Sequence, residues 1–219
     1  MIADHYRTVL ATFPAAVCEA VYLRDRHPLG VVPLKDGSPL GFELRRPTGR
    51  GREGELALCL VDTQGRSLSS MIFSLADDGR TLLLGCVQGA AAALGRDAVR
   101  ELTRQSHGLR PKNLLLSLLR SLAAHQGVVR IRGVRNAAHP FAGQANKIKA
   151  DYDSFWLECE GVPDDNGFYE LPAREPERHE TQVASKHRSA FRNRESLRRQ
   201  ACGLLLAALD QPEDVALVD

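Results

Sequence analysis

The chain lacks most of the features that would place it at once. Its five cysteines, Cys18, Cys59, Cys86, Cys159 and Cys202, are odd in number and scattered, and no two form a C-x-x-C pair. That spacing disfavours both a disulfide framework and a zinc site. Most have apolar neighbours, where free cysteine acts as a small hydrophobe, and a reducing compartment follows. No segment approaches the roughly 20 apolar residues that cross a bilayer. The start, MIADHYRTVL, has no basic stretch followed by an apolar run, so no secretory signal is expected. Charge of one sign is also missing. The 29 Lys and Arg against 27 Asp and Glu leave a net +2, too little to force a nucleic-acid or membrane reading. There is no internal repeat and no strong linker. No two histidines share a metal-ligand spacing with a third ligand nearby, so no metal is expected. No Gly-x-Ser-x-Gly elbow is present. These absences leave a cytoplasmic protein, one domain over residues 1–219, without a transmembrane segment.

What is present is enough apolar residue, 43%, in a chain long enough to bury a core. Apolar residues at helical spacing run from Asp4 to Leu23, divided at Pro14. His27 to Gly54 reads as loop with one strand at Gly41 to Arg46. Three strand-like runs follow, at Glu55–Asp62, Leu68–Leu75 and Thr81–Val87. The turn sequences between them, Asp62-Thr63-Gln64-Gly65 and Asp77-Asp78-Gly79, make antiparallel neighbours the natural topology. After Gly89 the period becomes helical. Pro111 to Gln126 is the clearest helix, with Leu114, Leu115, Leu118, Leu119 and Leu122 on one face and Gly127 as its stop. Val128–Val134 and Tyr152–Cys159 read as strands. A last helix is expected from Glu177 to Leu209, with a break near Gly203. The expected fold is α+β: a mostly antiparallel sheet core (54–172), an N-terminal helical and loop region (1–53), and a long basic C-terminal helix (173–219).

Two stretches carry candidate chemistry. Gln105-Ser106-His107-Gly108-Leu109-Arg110-Pro111-Lys112-Asn113 leads into the leucine-rich helix. Free N–H groups and a partial positive charge at a helix start, a permissive Gly108, and the charges of Arg110 and Lys112 make a plausible phosphate or carboxylate cradle. The second stretch is Tyr152 to Cys159. As a strand it places Tyr152, Ser154, Trp156 and Glu158 on one face. A carboxylate beside the only tryptophan is then a candidate general base with a raised pKa. Asp153 falls on the opposite, apolar face, where a buried acid requires a partner such as Arg130, Arg132 or Arg135. Asn136 and His139 follow the end of a strand, a favoured place for chemistry. The basic run Lys186 to Arg199 offers a site for an anionic partner, RNA or lipid headgroups.

Strand, basic glycine loop, helix and strand resemble the core of the GCN5-related acyltransferases. Their Q/R-x-x-G-x-G/A motif at a helix start holds the pyrophosphate of acyl-CoA. Gln105, Gly108 and Arg110 fall at its three positions. An ordered set of short motifs points to a closer family: Gly85-Cys86-Val87-Gln88-Gly89, His107 to Lys112, Gly133-Val134-Arg135-Asn136 with His139, Asp151 to Trp156, Leu171-Pro172, and Ser185-Lys186-His187-Arg188 with Arg192 and Arg194. From about Glu53 to Arg199 the chain is similar to the VirK/YbjX family of bacterial proteins, as a member shortened at its N-terminal side. That resemblance implies a link to virulence and to envelope or antimicrobial-peptide resistance, and names no reaction. Two functions are carried forward. One is an acyltransferase-like enzyme moving an acyl group from an acyl-CoA or other phosphate-bearing donor to an amine on a peptide or small molecule. Gln88, Gln105, Gly108, Arg110, Lys112 and Asn113 would hold the donor, with backbone amides near Val87 and Gln88 for the oxyanion. His107, Asn136, His139, Tyr152, Asp153 and Glu158 would form the catalytic set. The other is a non-catalytic binding or regulatory protein using the basic C-terminal helix.

Overall fold

A computed structural model of the chain describes residues 2–47, 53–90, 94–144, 150–176 and 179–210. Eight strands form one sheet: β1 (Arg26–Pro33), β2 (Pro39–Arg45), β3 (Leu56–Val61), β4 (Ser67–Ala76), β5 (Thr81–Gln88), β6 (Arg130–Val134), β7 (Val162–Pro163) and β8 (Phe168–Leu171). Their order is β1-β2-β3-β4-β5-β6-β8-β7, and every pair is antiparallel except β5 with β6. The helices are α1 (Ile2–Thr12), α2 (Ala15–Leu23), α3 (Gly95–Gln105), α4 (Pro111–His125), α5 (Tyr152–Glu158) and α6 (Arg188–Asp210). This is the expected α+β class, a mostly antiparallel sheet flanked by helices.

Local chemistry explains the meander. Asp62 accepts from the backbone N–H groups of Gln64 and Arg66, each at 2.9 Å, and Gly65 takes a φ of 71°. Asp77, Asp78 and Gly79 all adopt positive φ between β4 and β5. Such tight reversals leave antiparallel pairing as the only short route. The parallel β5–β6 pair instead needs a long crossover, which α3 and α4 provide. β3 is buried at all six positions, so helices cover both faces of the sheet. On α4, Leu114, Leu115, Leu118, Leu119 and Leu122 are buried as the heptad-like pattern requires. α1 is pinned to the sheet by His5, which is fully buried. Its Nδ1 accepts from the Leu75 N–H (3.0 Å) and its Nε2 lies 3.3 Å from the Tyr22 hydroxyl.

Three expectations are corrected. β1 reads as loop because it holds two prolines and a glycine, yet it is an edge strand, where a missing N–H breaks no ladder. Its bulge lies between Pro28 and Gly30, and a Cβ on Gly30 would strike Phe42 and Leu204. The last helix begins at Arg188, after two 3-10 turns, and runs through Gly203 unbroken. Nothing lies within 4 Å of a Cβ there, so the glycine answers no packing demand. Glu177, its expected first residue, lies outside the described residues. Tyr152–Cys159 is not a strand but α5. Asp151 caps it, accepting from the Ser154 N–H at 3.1 Å. Tyr152, Phe155 and Trp156 are buried at i, i+3 and i+4, the period of a helix.

Candidate functional site

β5 and β6 stay paired only from Thr81 opposite Arg130 to Leu84 opposite Gly133. Beyond that point β5 bulges at Gly85, which the register against β4 skips. The two strands part, and α5 fills the opening. Trp156 donates from Nε1 to the Val134 carbonyl (2.9 Å) and lies flat on Gly133, where a Cβ would come within 2.5 Å of its ring. The Tyr152 hydroxyl takes the Val87 backbone N–H and lies 3.3 Å from Cys86 Sγ. Of the amides near Val87 and Gln88 expected to serve an oxyanion, that of Val87 faces the Tyr152 hydroxyl.

The segment Glu53 to Glu55 crosses this bulge. A Cβ on Gly85 would sit 1.7 Å from the Glu53 carbonyl oxygen, so the crossing requires glycine there. It brings the Glu53 carboxylate to 3.2 Å from Nε2 of His139, which is buried and stacks on Tyr152 at 5.2 Å and 13°. His139 Nδ1 accepts from the Phe141 N–H (3.2 Å), which leaves the ring proton on Nε2. Nε2 lies against the Glu53 carboxylate but makes no regular hydrogen bond to it or to another described group. Burial holds the His139 pKa below its ordinary value despite the neighbouring carboxylate. Burial likewise pushes the Cys86 thiol up to about 12 and raises Tyr152. Glu53, Cys86 and His139 are the one trio among the described residues whose donor atoms could gather round a metal, all within 4.8 Å. The ring is turned the wrong way for that role: a ligating Nε2 would put a proton on Nδ1, against the Phe141 N–H.

Glu53 opens onto a cavity of about 460 Å³ at the parted ends of β5 and β6. Its walls are mostly apolar, from Leu83, Leu84, Val134 and Phe168, and carry two carboxylates, Glu53 and Glu55. Among the described residues no Lys, Arg or His lines it. Glu55 is bonded to the Tyr6 hydroxyl at 3.1 Å, which leaves Glu53 as the carboxylate beside His139.

The expected site residues divide. His139 and Tyr152 gather here, and exposed Gln88 lies near the Cys86 thiol. Asn136 clamps the start of α5: Oδ1 accepts from the Tyr152 N–H and Nδ2 donates to Asp151, both at 2.9 Å. Asp153 accepts from the Asn136 N–H at 2.8 Å, not from an arginine. Arg130 pairs with Glu170 and Arg132 with Asp164, while Arg135 donates to the Asp164 carbonyl. Glu158, at the far end of α5, is half exposed. The Arg110 hydrogen bond holds its pKa below the usual carboxylate range, the reverse of the raised value a strand beside Trp156 would give. Glu53 and Cys86 were missed by sequence reasoning. The signal that could have found Glu53 is Gly85, since a glycine inside a strand marks a bulge or a close backbone approach.

At the start of α4, Arg110 is 2.6 Å and Lys112 3.8 Å from Oε2 of Glu158. The chain's own carboxylate thus sits where an external anion was expected. Gln105 is buried and bonded to Glu101, and His107 takes a left-handed φ of 55° at the end of α3. Gln105 lines a separate cavity of about 280 Å³ against β2 and the Asp62 turn. Gly108, Arg110 and Asn113 do line one, of about 240 Å³, closed on its other side by α6. Part of the basic run on α6 is matched by acids: Arg192 pairs with Glu180, and Arg198 with Glu195.

An eight-stranded, mostly antiparallel sheet with one helical crossover and a buried polar cluster at the parted ends of its parallel pair defines the class. The family model described as "Protein of unknown function (DUF535)" matches residues 1–201, and the chain belongs to that family. The Escherichia coli (strain K12) protein named "Uncharacterized protein YbjX" is 29% identical over 167 residues, 73% of this chain and 51% of its own, which bears out the resemblance read from the motifs. An uncharacterized Haemophilus influenzae protein is 30% identical over 190 residues, 82% of this chain and 64% of its own. The chain thus spans about half to two thirds of the length of these relatives. Among solved structures, a mutant "cAMP-binding acyltransferase from Mycobacterium smegmatis" aligns over 96% of this chain and 60% of its own, with 11% identity and a TM-score of 0.40. That likeness says nothing of ligand or reaction. Among the described residues no helix is long and apolar enough to cross a membrane.

Proposed function

We propose that the chain is an acyl-transfer enzyme that acylates an amine bound in the cavity at the parted ends of β5 and β6. The observation that carries this reading is Glu53, 3.2 Å from buried His139, on the wall of an apolar cavity that holds two acids and no cation among its described walls. Such a cavity selects a cationic group on an apolar body, which is an alkyl or aryl ammonium. Glu53 takes a proton from the ammonium. The neutral amine attacks the acyl carbonyl of a thioester donor, the nitrogen–carbon bond forms, and the donor leaves as its thiol. His139 has no free nitrogen for that proton, so its role is to position Glu53.

The donor reading places a phosphate-bearing acyl donor such as acyl-CoA at the start of α4, held by Arg110 and Lys112. Glu158 occupies those charges in the free protein. An ion pair this exposed is worth about 0–1 kcal/mol, which a polyphosphate in the same place outweighs. Thiol release from acetyl-CoA, followed with 2-phenylethylamine as acceptor, tests the proposal. Amine-dependent release that Glu53→Gln abolishes supports it. Release that ignores the amine, or survives Glu53→Gln, defeats it.

A further inference from the structure

We infer that the trough between α4 and α6 binds a small hydroxylated phosphate monoester. The inference does not use Glu53 or the amine cavity, but it shares Gly108, Arg110 and Asn113 with the donor site of the acyl-transfer reading, so an acyl-CoA should compete with the monoester here. Three buried polar atoms without a hydrogen-bond partner among the described residues belong to side chains that line the same 240 Å³ cavity: Arg120 Nη2, Arg198 Nε and Asn113 Oδ1. Buried polar groups in folded proteins are nearly all satisfied, so three orphans round one cavity call for an occupant. Arg120 is 5% exposed; its Nε donates to the Pro172 carbonyl at 3.0 Å and its Nη1 to Glu175 at 3.1 Å, which leaves Nη2 unmet. Arg198 is gripped by both oxygens of Glu195 through Nη1, at 2.8 and 2.6 Å.

Bulk charge does not choose the ligand, because the wall balances Arg110, Arg120, Arg194 and Arg198 against four glutamates. The unmet hydrogen bonds choose it. Two guanidinium N–H groups from different helices require acceptor oxygens in more than one plane, which a tetrahedral phosphate supplies and a flat carboxylate does not. Asn113 Oδ1 requires a donor, which a hydroxyl on the same molecule supplies. Asn113 also stands in the first turn of the 15-residue α4, whose free N–H groups and dipole favour an anion. The competing occupant is water: at about 30 Å³ each, about eight fit.

Calorimetry of the full chain in a chloride buffer decides, with glycerol 3-phosphate, inorganic phosphate and glycerate as probes. The expected result is one saturable site, with glycerol 3-phosphate about tenfold tighter than inorganic phosphate. Asn113→Ala should erase that advantage, and Arg198→Ala should weaken both phosphates at least about tenfold. Removing Arg120 strands Glu175 and risks the fold, so the two milder variants carry the test. Glu53→Gln should bind as the parent does. No saturable heat up to about 10 mM leaves water as the occupant and overturns the inference. Binding unchanged in both variants, or glycerate binding tighter than glycerol 3-phosphate, overturns it equally.

Discussion

The cavity at the parted ends of β5 and β6 and the one between α4 and α6 are built on opposite principles. At the parted ends of β5 and β6 the walls are apolar, the acids outnumber the bases, and one carboxylate lies against a buried ring. Beside α4 and α6 the walls are crowded with charge, yet every acid has an arginine near it or on the same wall. The lesson is that abundance of charge and availability of charge differ. Arg110, Arg192 and Arg198 dominate the sequence pattern, but each is paired with a glutamate, Glu158, Glu180 or Glu195, and of Arg198 only Nε is left open to a ligand. Glu53 stands unremarked before a strand, yet it faces open cavity space in surroundings where a charge acts strongly.

The sharpest way to break this contrast is Glu53→Gln. We expect amine acylation to fall by about 10²- to 10⁴-fold in kcat, with phosphate binding beside α4 untouched; a fall of only a few-fold would leave the apolar cavity without its chemistry. Next comes acid. Burial lowers the His5 pKa from 6.5 to about 4, while the unfolded chain binds a proton near 6.5. Stability from this residue is complete above pH 6.5 and is lost as pH falls toward 4, by about 3 kcal/mol. Because Ile2 at the head of α1 lines the apolar cavity, that cavity should open first on acidification. Urea midpoints against pH, with His5→Gln flattening the slope over this window, give the check; an identical slope in the variant refutes the assignment.

Gly85→Ala should cost about 1–3 kcal/mol through overpacking against the Glu53 carbonyl and should impair turnover as well, by moving the carboxylate off His139. Gly203→Ala, with open space around it, should be neutral or stabilising by the same thermal measurement. Asp151→Ala removes the cap of α5, at a cost of about 1 kcal/mol read from the denaturation midpoint. Smallest is Glu158→Gln. It frees Arg110 and Lys112 and should tighten acyl-CoA binding by a few-fold at low salt. Weaker binding would show that Glu158 orders the site rather than blocking it.

The regular elements were legible. Leucines at i, i+3 and i+4 marked α4, and aspartate–glycine turns marked the β3–β4–β5 meander, because such signals are local and repeat. Tyr152–Glu158 shows where legibility stops. Its aromatics fit a strand by alternation and a helix by the i, i+3, i+4 rule. The Asp151 cap, three residues before Ser154, decides between them, and it decided for the helix. The site was half legible. Gln88, His139 and Tyr152 stood on short motifs, whereas Glu53 lies 86 positions from its partner His139 in a loop with no pattern of its own.

By itself, then, the sequence determined the α+β class, the helix that carries the crossover, the family, and the residues that line the end of β6. Only the tertiary structure decided which charges are free. Pairing of Arg110 with Glu158, or of Glu53 with His139, depends on contacts between segments far apart in the chain, and a carboxylate's chemistry is set by whichever neighbour the fold brings within reach.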